Sequence, residues 1–170
     1  MKVSYRNVLF ATDLSARSRR AFPHAADIAA RHGAGMVFVH VLEGLTDAFQ
    51  RRIESYLGSE ALAQIRRSKE DDVRNILIGK KSERRIVSET LSQFVQKMRL
   101  ENAVEAEQED RIVIRTGANV AAEILETARE TDCDLLVMAR GGSKGLGSTI
   151  KAVLAEASAP VLVVDGADAK

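Results

Sequence analysis

Residues 132–164 constrain the fold more than any other stretch, because strand, loop, helix and strand signals follow one another without interruption. The apolar run 134–138 is typical of a buried strand. Four glycines then fall within the seven residues 141–147, and glycine at this density releases the backbone from regular structure. Pro160 stops the helix that follows, and 161–164 is a second buried run. This order predicts a βαβ unit of a parallel sheet.

The helix of this unit begins beside the glycine loop, at the carboxyl end of the preceding strand. Ser148 is a suitable N-cap. One apolar face follows at helical spacing and comprises Ile150, Val153, Leu154 and Ala157. Backbone amides at a helix N-terminus point outward and carry positive partial charge. The pattern therefore predicts an anion site, typically for phosphate, while a short glycine motif is equally typical of a tight strand-to-helix turn.

The amino-terminal part of the chain shows the same alternation. Residues 8–11 and 36–42 are predicted strands, and Gly33 is a natural stop for the helix between them. Ser15 can cap that helix, but Pro23 removes one intrahelical hydrogen bond, so we expect a kink there or a start later than Ser15. The short connections between these strands and the helix indicate that the strands pair in parallel, with a right-handed crossover. The apolar face of the helix consists of Phe22, Ala25, Ala26 and Ala29.

The middle of the chain, about 44–107, holds no convincing strand. Two helical stripes occur there: Phe49, Ile53, Tyr56 and Leu57, and then Val87, Leu91, Phe94, Val95 and Met98. Two helices exceed what one crossover needs, so the surplus packs on the sheet, projects from it, or meets a second subunit. Acidic residues are interleaved with the basic residues of 66–85, which favours solvated helix faces over a docking site for an acidic partner.

The third strand is predicted at 111–115, where the alternation of side chains places it near a sheet edge. Asn119 can cap the next helix, whose inner face comprises Ala121, Ile124, Leu125 and Ala128. Five strands with helices on both faces follow from this order of elements. The sequence therefore predicts an α/β fold with a five-stranded parallel sheet, in a single domain over 1–170 with an extended helical segment at about 44–107.

Composition narrows the functional classes. The 170 residues are 45% apolar and 29% charged, as in soluble globular proteins, and the net charge of +1 supplies no field for nucleic acid or an acidic membrane. No apolar run approaches the ~20 residues that span a bilayer. The N-terminus lacks the basic-then-apolar pattern of a signal peptide. We therefore expect a cytoplasmic protein without nucleic-acid or membrane partners.

Residue types that catalyse reactions or bind metals are not arranged for either purpose. Cys133, the only cysteine, excludes an intramolecular disulfide and is expected to be a small buried hydrophobe. The three histidines have no metal-ligand spacing, and His40 is expected to be a hydrogen-bonded core or rim residue. Neither a Gly-x-Ser-x-Gly elbow nor a Walker lysine motif occurs. An efficient enzyme is not expected, and we predict no catalytic or metal-binding residue.

Four segments together resemble the universal stress protein family: NVLFATDLS at 7–15, MVFVHVL at 36–42, 116–139, and GSTIKAVLAEASAPVLVV at 147–164. The resemblance covers both ends of the chain in the right order, whereas the middle is similar only as generic helices and a strand. It implies a Rossmann-like sheet with strand order 3-2-1-4-5 and helices on both faces. It also implies a role in the stress response and a frequent homodimer built through the last strand.

The resemblance further implies a site for ATP or another adenine nucleotide. In nucleotide-binding members an aspartate after the first strand and backbone at the end of the second strand meet the adenine, as Asp13 and Val41 would. A glycine loop after the fourth strand wraps the phosphates, and a Gly-Ser pair completes the site at the next helix. The site predicted on this basis consists of Thr12, Asp13, Val41, Met138, Ala139, Gly142, Gly147, Ser148 and Thr149.

The glycine loop departs from the family pattern. Ala139 stands where the first glycine belongs, and four residues rather than nine separate Gly142 from Gly147. Because a chain advances at most ~3.5 Å per residue, the loop loses up to ~17 Å of contour. Gly141 and Gly145 can restore some amide donors through a tighter turn. We therefore expect weak binding, or binding of a smaller anion than triphosphate.

Several interpretations remain open at this point. Asp13 can bind a base or ribose, or cap the helix that follows it. The chain as a whole is a nucleotide-responsive stress module, a dimeric interaction protein of the same family that does not bind nucleotide, or a weak ATPase. The shortened loop favours the interaction protein over the ATPase. The protein partner is not indicated by any motif.

Overall fold

The computed structural model describes residues 3–42, 79–103, 108–141 and 145–165, with side chains from residue 84 onward in the second range. The strands are β1 (Asn7–Ala11), β2 (Gly35–Leu42), β3 (Arg111–Thr116), β4 (Leu135–Arg140) and β5 (Val161–Asp165). The helices are α1 (Ala16–His32), α2 (Gly79–Asn102), α3 (Val120–Glu130) and α4 (Ser148–Glu156). All pairings are parallel in the order β3-β2-β1-β4-β5, which confirms the predicted fold class and strand order.

Each face of the sheet carries its own core, because successive side chains of a strand point to opposite faces. Val8 and Phe10 belong to the cluster that α1 and α2 cover, whereas Leu9 and Ala11 belong to the cluster under α3 and α4. The rings of Phe10, Phe22 and Phe38 meet pairwise at centroid distances of 6.0–6.1 Å in the first cluster. Such burial is worth roughly 1.5–3 kcal/mol for each ring.

Helix α1 begins directly after Ser15, whose side chain accepts a hydrogen bond from the Ser18 amide. The later start that Pro23 allowed is therefore wrong. Gly33 ends the helix in the left-handed conformation (φ 61°), and its amide bonds back to the carbonyls of the last turn. The predicted apolar face is fully or almost fully buried, which offsets the hydrogen bond that Pro23 cannot donate.

Helix α2 packs on the sheet. The predicted stripe of Val87, Leu91, Phe94, Val95 and Met98 is buried to 4% exposure or less in the first core cluster. Because the core of the chain itself buries this stripe, it packs on the sheet and does not meet a second subunit. Arg84 donates to the Ile114 carbonyl at 2.9 Å, and Arg85 pairs with Glu89. The stripe predicted at 49–57 and the basic residues Arg66 and Arg67 lie outside the described residues.

On the other face of the sheet, α3 matches its prediction, whereas α4 differs from its prediction at the N-cap and at one buried position. Asn119 caps α3 through the Ala122 amide at 3.1 Å, and the predicted inner face of α3 is buried. In α4, Gly147 rather than Ser148 is the N-cap, and it supplies no side-chain bond. Leu154, expected on the buried face, is 43% exposed. A nine-residue helix has room for few buried positions, and Ile150 and Val153 occupy them.

The sequence predicts structural and not reactive roles for His40 and Cys133. His40 is buried and hydrogen-bonded, as expected. Cys133 is half-buried rather than buried, and its burial raises the pKa of the thiol above its ordinary value. In the described residues no three His, Cys, Asp or Glu side chains come together as metal ligands. No helix in the described part of the chain is long and apolar enough to cross a bilayer.

Candidate functional site

The strand order reverses between β1 and β4, and this is where an open α/β sheet leaves a crevice. The two strands are directly paired, with Ala11 opposite Met138 at their carboxyl ends. Helix α1 leaves β1 toward one face of the sheet, while α4 follows β4 on the other. The crevice is a cavity of about 330 Å³, at the small end of the range for small-molecule sites.

The cavity wall contains every described residue of the predicted nucleotide site. These are Thr12, Asp13, Val41, Met138, Ala139, Gly147, Ser148 and Thr149. Gly142 lies outside the described residues. The wall also contains side chains that the sequence analysis did not select, among them Arg17, Ser18, His40, Val120 and Ile124. We call the first part of the wall (Thr12, Asp13, Ser18, His40) the turn side, and the part at Gly141, Gly147, Ser148 and Thr149 the glycine side.

Hydrogen bonds hold the turn side together. The Thr12 amide donates to the Val39 carbonyl at 3.0 Å, which extends the β1–β2 pairing beyond the last strand residue. The Thr12 hydroxyl accepts from the Leu14 amide at 3.0 Å. From the neighbouring strand, Nδ1 of His40 donates to the Thr12 carbonyl at 2.8 Å. Thr12 and His40 are 6% and 5% exposed, so these bonds form largely out of contact with water.

Leu14 adopts an unfavourable backbone conformation at the bottom of this turn. Its φ is 60°, a region that costs a non-glycine residue roughly 1–2 kcal/mol. Its side chain is 0% exposed in the first core cluster, and that burial is worth about 1.5–3 kcal/mol. Core packing therefore holds a strained turn in place, and the turn directs Asp13 to the cavity wall.

Asp13 serves the turn and faces the cavity at once. Its Oδ1 accepts from the Ser18 hydroxyl at 2.7 Å and from the Ser15 amide at 2.9 Å. The N-cap of α1 is Ser15, so the capping interpretation of Asp13 is wrong, and its carboxylate instead closes the turn before the helix. These bonds leave the Asp13 side chain exposed on the cavity wall. Asp13 can therefore both support the turn and face a ligand.

The glycine side is open. A Cβ placed on Gly147 would meet no heavy atom within 4 Å, and the first turn of α4 receives no side-chain cap. The amides of the first turn have no acceptor within their own helix. With the positive end of the helix dipole, they make this wall a suitable place for an anion.

Arg17 is the charged wall residue that the sequence analysis missed. It lies in the first turn of α1, and its Nη1 would be 3.9 Å from a Cβ built on Gly141. One signal was available, because the helix dipole favours acidic residues in a first turn, yet α1 has none there and has Arg17 and Arg19 instead. Val120 and Ile124 had no such signal, since they reach the wall only through the packing of α3 beside β2.

Comparison with known protein families identifies the family of this chain. Residues 4–165 match the model of the universal stress protein family. The chain belongs to this family. No curated protein sequence matches it significantly.

Solved universal stress proteins share the fold over almost the whole chain. One, in complex with cAMP, is 19% identical and superposes with a TM-score of 0.61, over 97% of this chain and 100% of its own. Another, from Archaeoglobus fulgidus in complex with dAMP, is 22% identical with a TM-score of 0.57, over 95% and 99%. A third, from Lactobacillus plantarum, is 23% identical with a TM-score of 0.56, over 96% and 99%. At these identities the likeness establishes the fold.

Proposed function

We propose that this universal stress protein binds an adenine nucleotide in the cavity between β1 and β4 and acts as a cytoplasmic, nucleotide-responsive module in the stress response. The observation that carries the proposal is the cavity itself, which lies at the reversal of strand order and has the predicted residues on its wall. Support also comes from the family members of the same fold that were crystallised with cAMP and dAMP.

Each predicted residue on the cavity wall has a role in the proposed site. Asp13 faces the base or ribose, with Val41 and Met138 beside it, and Thr12 and Ala139 complete this end. Gly147, Ser148 and Thr149 offer amides and hydroxyls to phosphate at the start of α4. Gly142 stays a prediction from the sequence. Because the loop is short and the cavity measures about 330 Å³, we expect a nucleotide with one phosphate to bind better than ATP.

Calorimetric titration of AMP, ADP and ATP into the wild type and Gly147→Val tests this proposal. A branched side chain at Gly147 enters open space on the glycine side, so it should obstruct the phosphate path and weaken AMP binding at least about tenfold. Gly147→Ala is the graded control, because a single methyl group reaches less far. AMP affinity that is the same in all three proteins would place the ligand elsewhere.

A wild type that binds none of the three nucleotides, with its fold intact, would favour the second candidate function. That candidate is a dimeric interaction protein of the family that does not bind nucleotide. The shortened loop is the observation in its favour.

We also propose that the chain folds as a single domain and that two chains form a homodimer through β5. Strand β5 is at a sheet edge, where unpaired backbone groups invite a second strand. Its Val161, Leu162 and Val163 are half-buried, and Leu154 is exposed. Light scattering should give twice the chain mass at micromolar concentration, and Leu162→Lys should shift it to the monomer. A wild-type monomer would refute the dimer.

A further inference from the structure

The side chain of Arg17 lines the cavity and reaches toward Gly141. It starts from the first turn of α1, after β1, and its Nη1 lies 3.9 Å from where a Cβ of Gly141 would be. Gly141 is the first residue after β4. The guanidinium is therefore brought to the end of β4 where the glycine loop begins, on the wall of the cavity.

The guanidinium is exposed and has no carboxylate partner among the described residues. In the described ranges Arg17 makes no hydrogen bond or ion pair, although the same helix pairs Arg31 with Asp27. The nearest acidic wall residue in sequence, Asp13, is bonded through Oδ1 to Ser15 and Ser18. The positive charge of Arg17 is thus exposed on the cavity wall.

The helix ends near Arg17 add to the positive potential, which only Asp13 opposes among the described residues of the cavity wall. The first turns of α1 and α4 both border the cavity, and neither contains an acidic residue. Helix α3, by contrast, has Glu123 in its first turn. A cation in a first turn opposes the helix dipole, so Arg17 lowers the stability of α1 unless an anion completes the arrangement.

We propose that Arg17 is a direct ligand of the phosphate group of the bound nucleotide. This inference rests on the proposed nucleotide site. A planar guanidinium binds two phosphate oxygens at once, so one arginine supplies both charge and two donors. It supplies them at the end of β4, where the shortened loop has fewer amides to offer. The terminal phosphate lies between Arg17 and the first turn of α4.

Titration of AMP and adenosine into the wild type, Arg17→Gln and Arg17→Lys tests this role. Charge-assisted hydrogen bonds are strong, so Arg17→Gln should weaken AMP binding by about 10- to 100-fold. Arg17→Lys should fall between, because an ammonium keeps the charge but loses the fork. Adenosine affinity should be the same in all three proteins. Higher salt should weaken AMP binding more in the wild type than in Arg17→Gln.

Arg20→Gln is the matched control, because it removes the same charge from the same helix at a residue that does not line the cavity. Equal AMP affinity in the wild type and Arg17→Gln would overturn the inference and leave the nucleotide site standing. Parallel losses of AMP and adenosine binding would also overturn it, since they would show that Arg17 only supports the fold. A wild type that does not bind AMP would overturn the inference together with the proposed function.

Discussion

The two sides of the cavity are built in different ways. On the turn side, polar groups bond to one another, and most of them are buried: His40 to Thr12, Thr12 to the Leu14 amide, and Ser18 to Asp13. On the glycine side, Gly147 has no side-chain cap and open space where a Cβ would be. One side is therefore part of the folded core, and the other is a surface that borders empty volume.

Because of this difference, substitutions on the two sides should affect different properties, namely the stability of the fold and the binding of the ligand. Substitutions on the turn side remove interactions that the fold already uses, so they should lower the free energy of unfolding whether or not a ligand is present. Substitutions on the glycine side remove no core contact, so they should change the free energy of unfolding little and act mainly on ligand binding. Unfolding measurements on ligand-free protein therefore test whether the two sides differ in this way.

The largest effect is expected for Leu14→Ala. The side chain is fully buried, and its truncation leaves a cavity while alanine retains the unfavourable φ of 60°. We expect the free energy of unfolding to fall by about 3 kcal/mol. Urea titration followed by circular dichroism measures this directly. A loss below about 1 kcal/mol would mean that the turn relaxes and is not held by the core.

A smaller loss is expected for His40→Leu. The substitution replaces the imidazole with an apolar side chain of similar size and removes the donor to the Thr12 carbonyl, which should cost about 1–3 kcal/mol. His24→Leu makes the same chemical change at an exposed position of α1 and should stay within about 0.5 kcal/mol of the wild type. If both variants lose the same stability, the bond to Thr12 does not hold the turn side.

The smallest effect is expected for Gly147→Val. The residue adopts φ −63° and ψ 161°, which valine accepts, and the added side chain meets no neighbour within 4 Å. Valine is a poorer N-cap than glycine, so we expect a loss of less than about 1 kcal/mol. The urea midpoint of the ligand-free variant checks this. A loss as large as that of Leu14→Ala would show that the glycine side also supports the fold.

Local patterns in the sequence were sufficient for most elements. The stripe from Val87 to Met98 and the faces of α1 and α3 are buried as their spacing predicts, and Asn119 and Ser15 cap the helices they precede. Hydrophobic periodicity and capping depend on residues a few positions apart, so a single sequence contains them. The strand order is different, because it came from the family resemblance and not from the pattern.

The boundaries and surfaces of α4 show where local patterns fail. Ser148 and Gly147 are both acceptable caps, and only the backbone path out of the loop decides between them. Leu154 satisfies the helical spacing but is exposed, since the position of a short helix on the sheet determines which of its residues are covered. Neither the N-cap of α4 nor the exposure of Leu154 can be predicted from residues that are close in sequence.

The helices and strands of the described residues, the family, and the cavity-lining residues at the ends of β1, β2 and β4 could be predicted from sequence patterns and motifs. The approach of Arg17 to Gly141, the bond from His40 to Thr12 and the place of Ile124 on the wall became evident only in the packed fold. The residues involved are far apart along the chain. These contacts join residues from separate helices and strands, which parallel pairing and core packing bring together only once the sheet has formed.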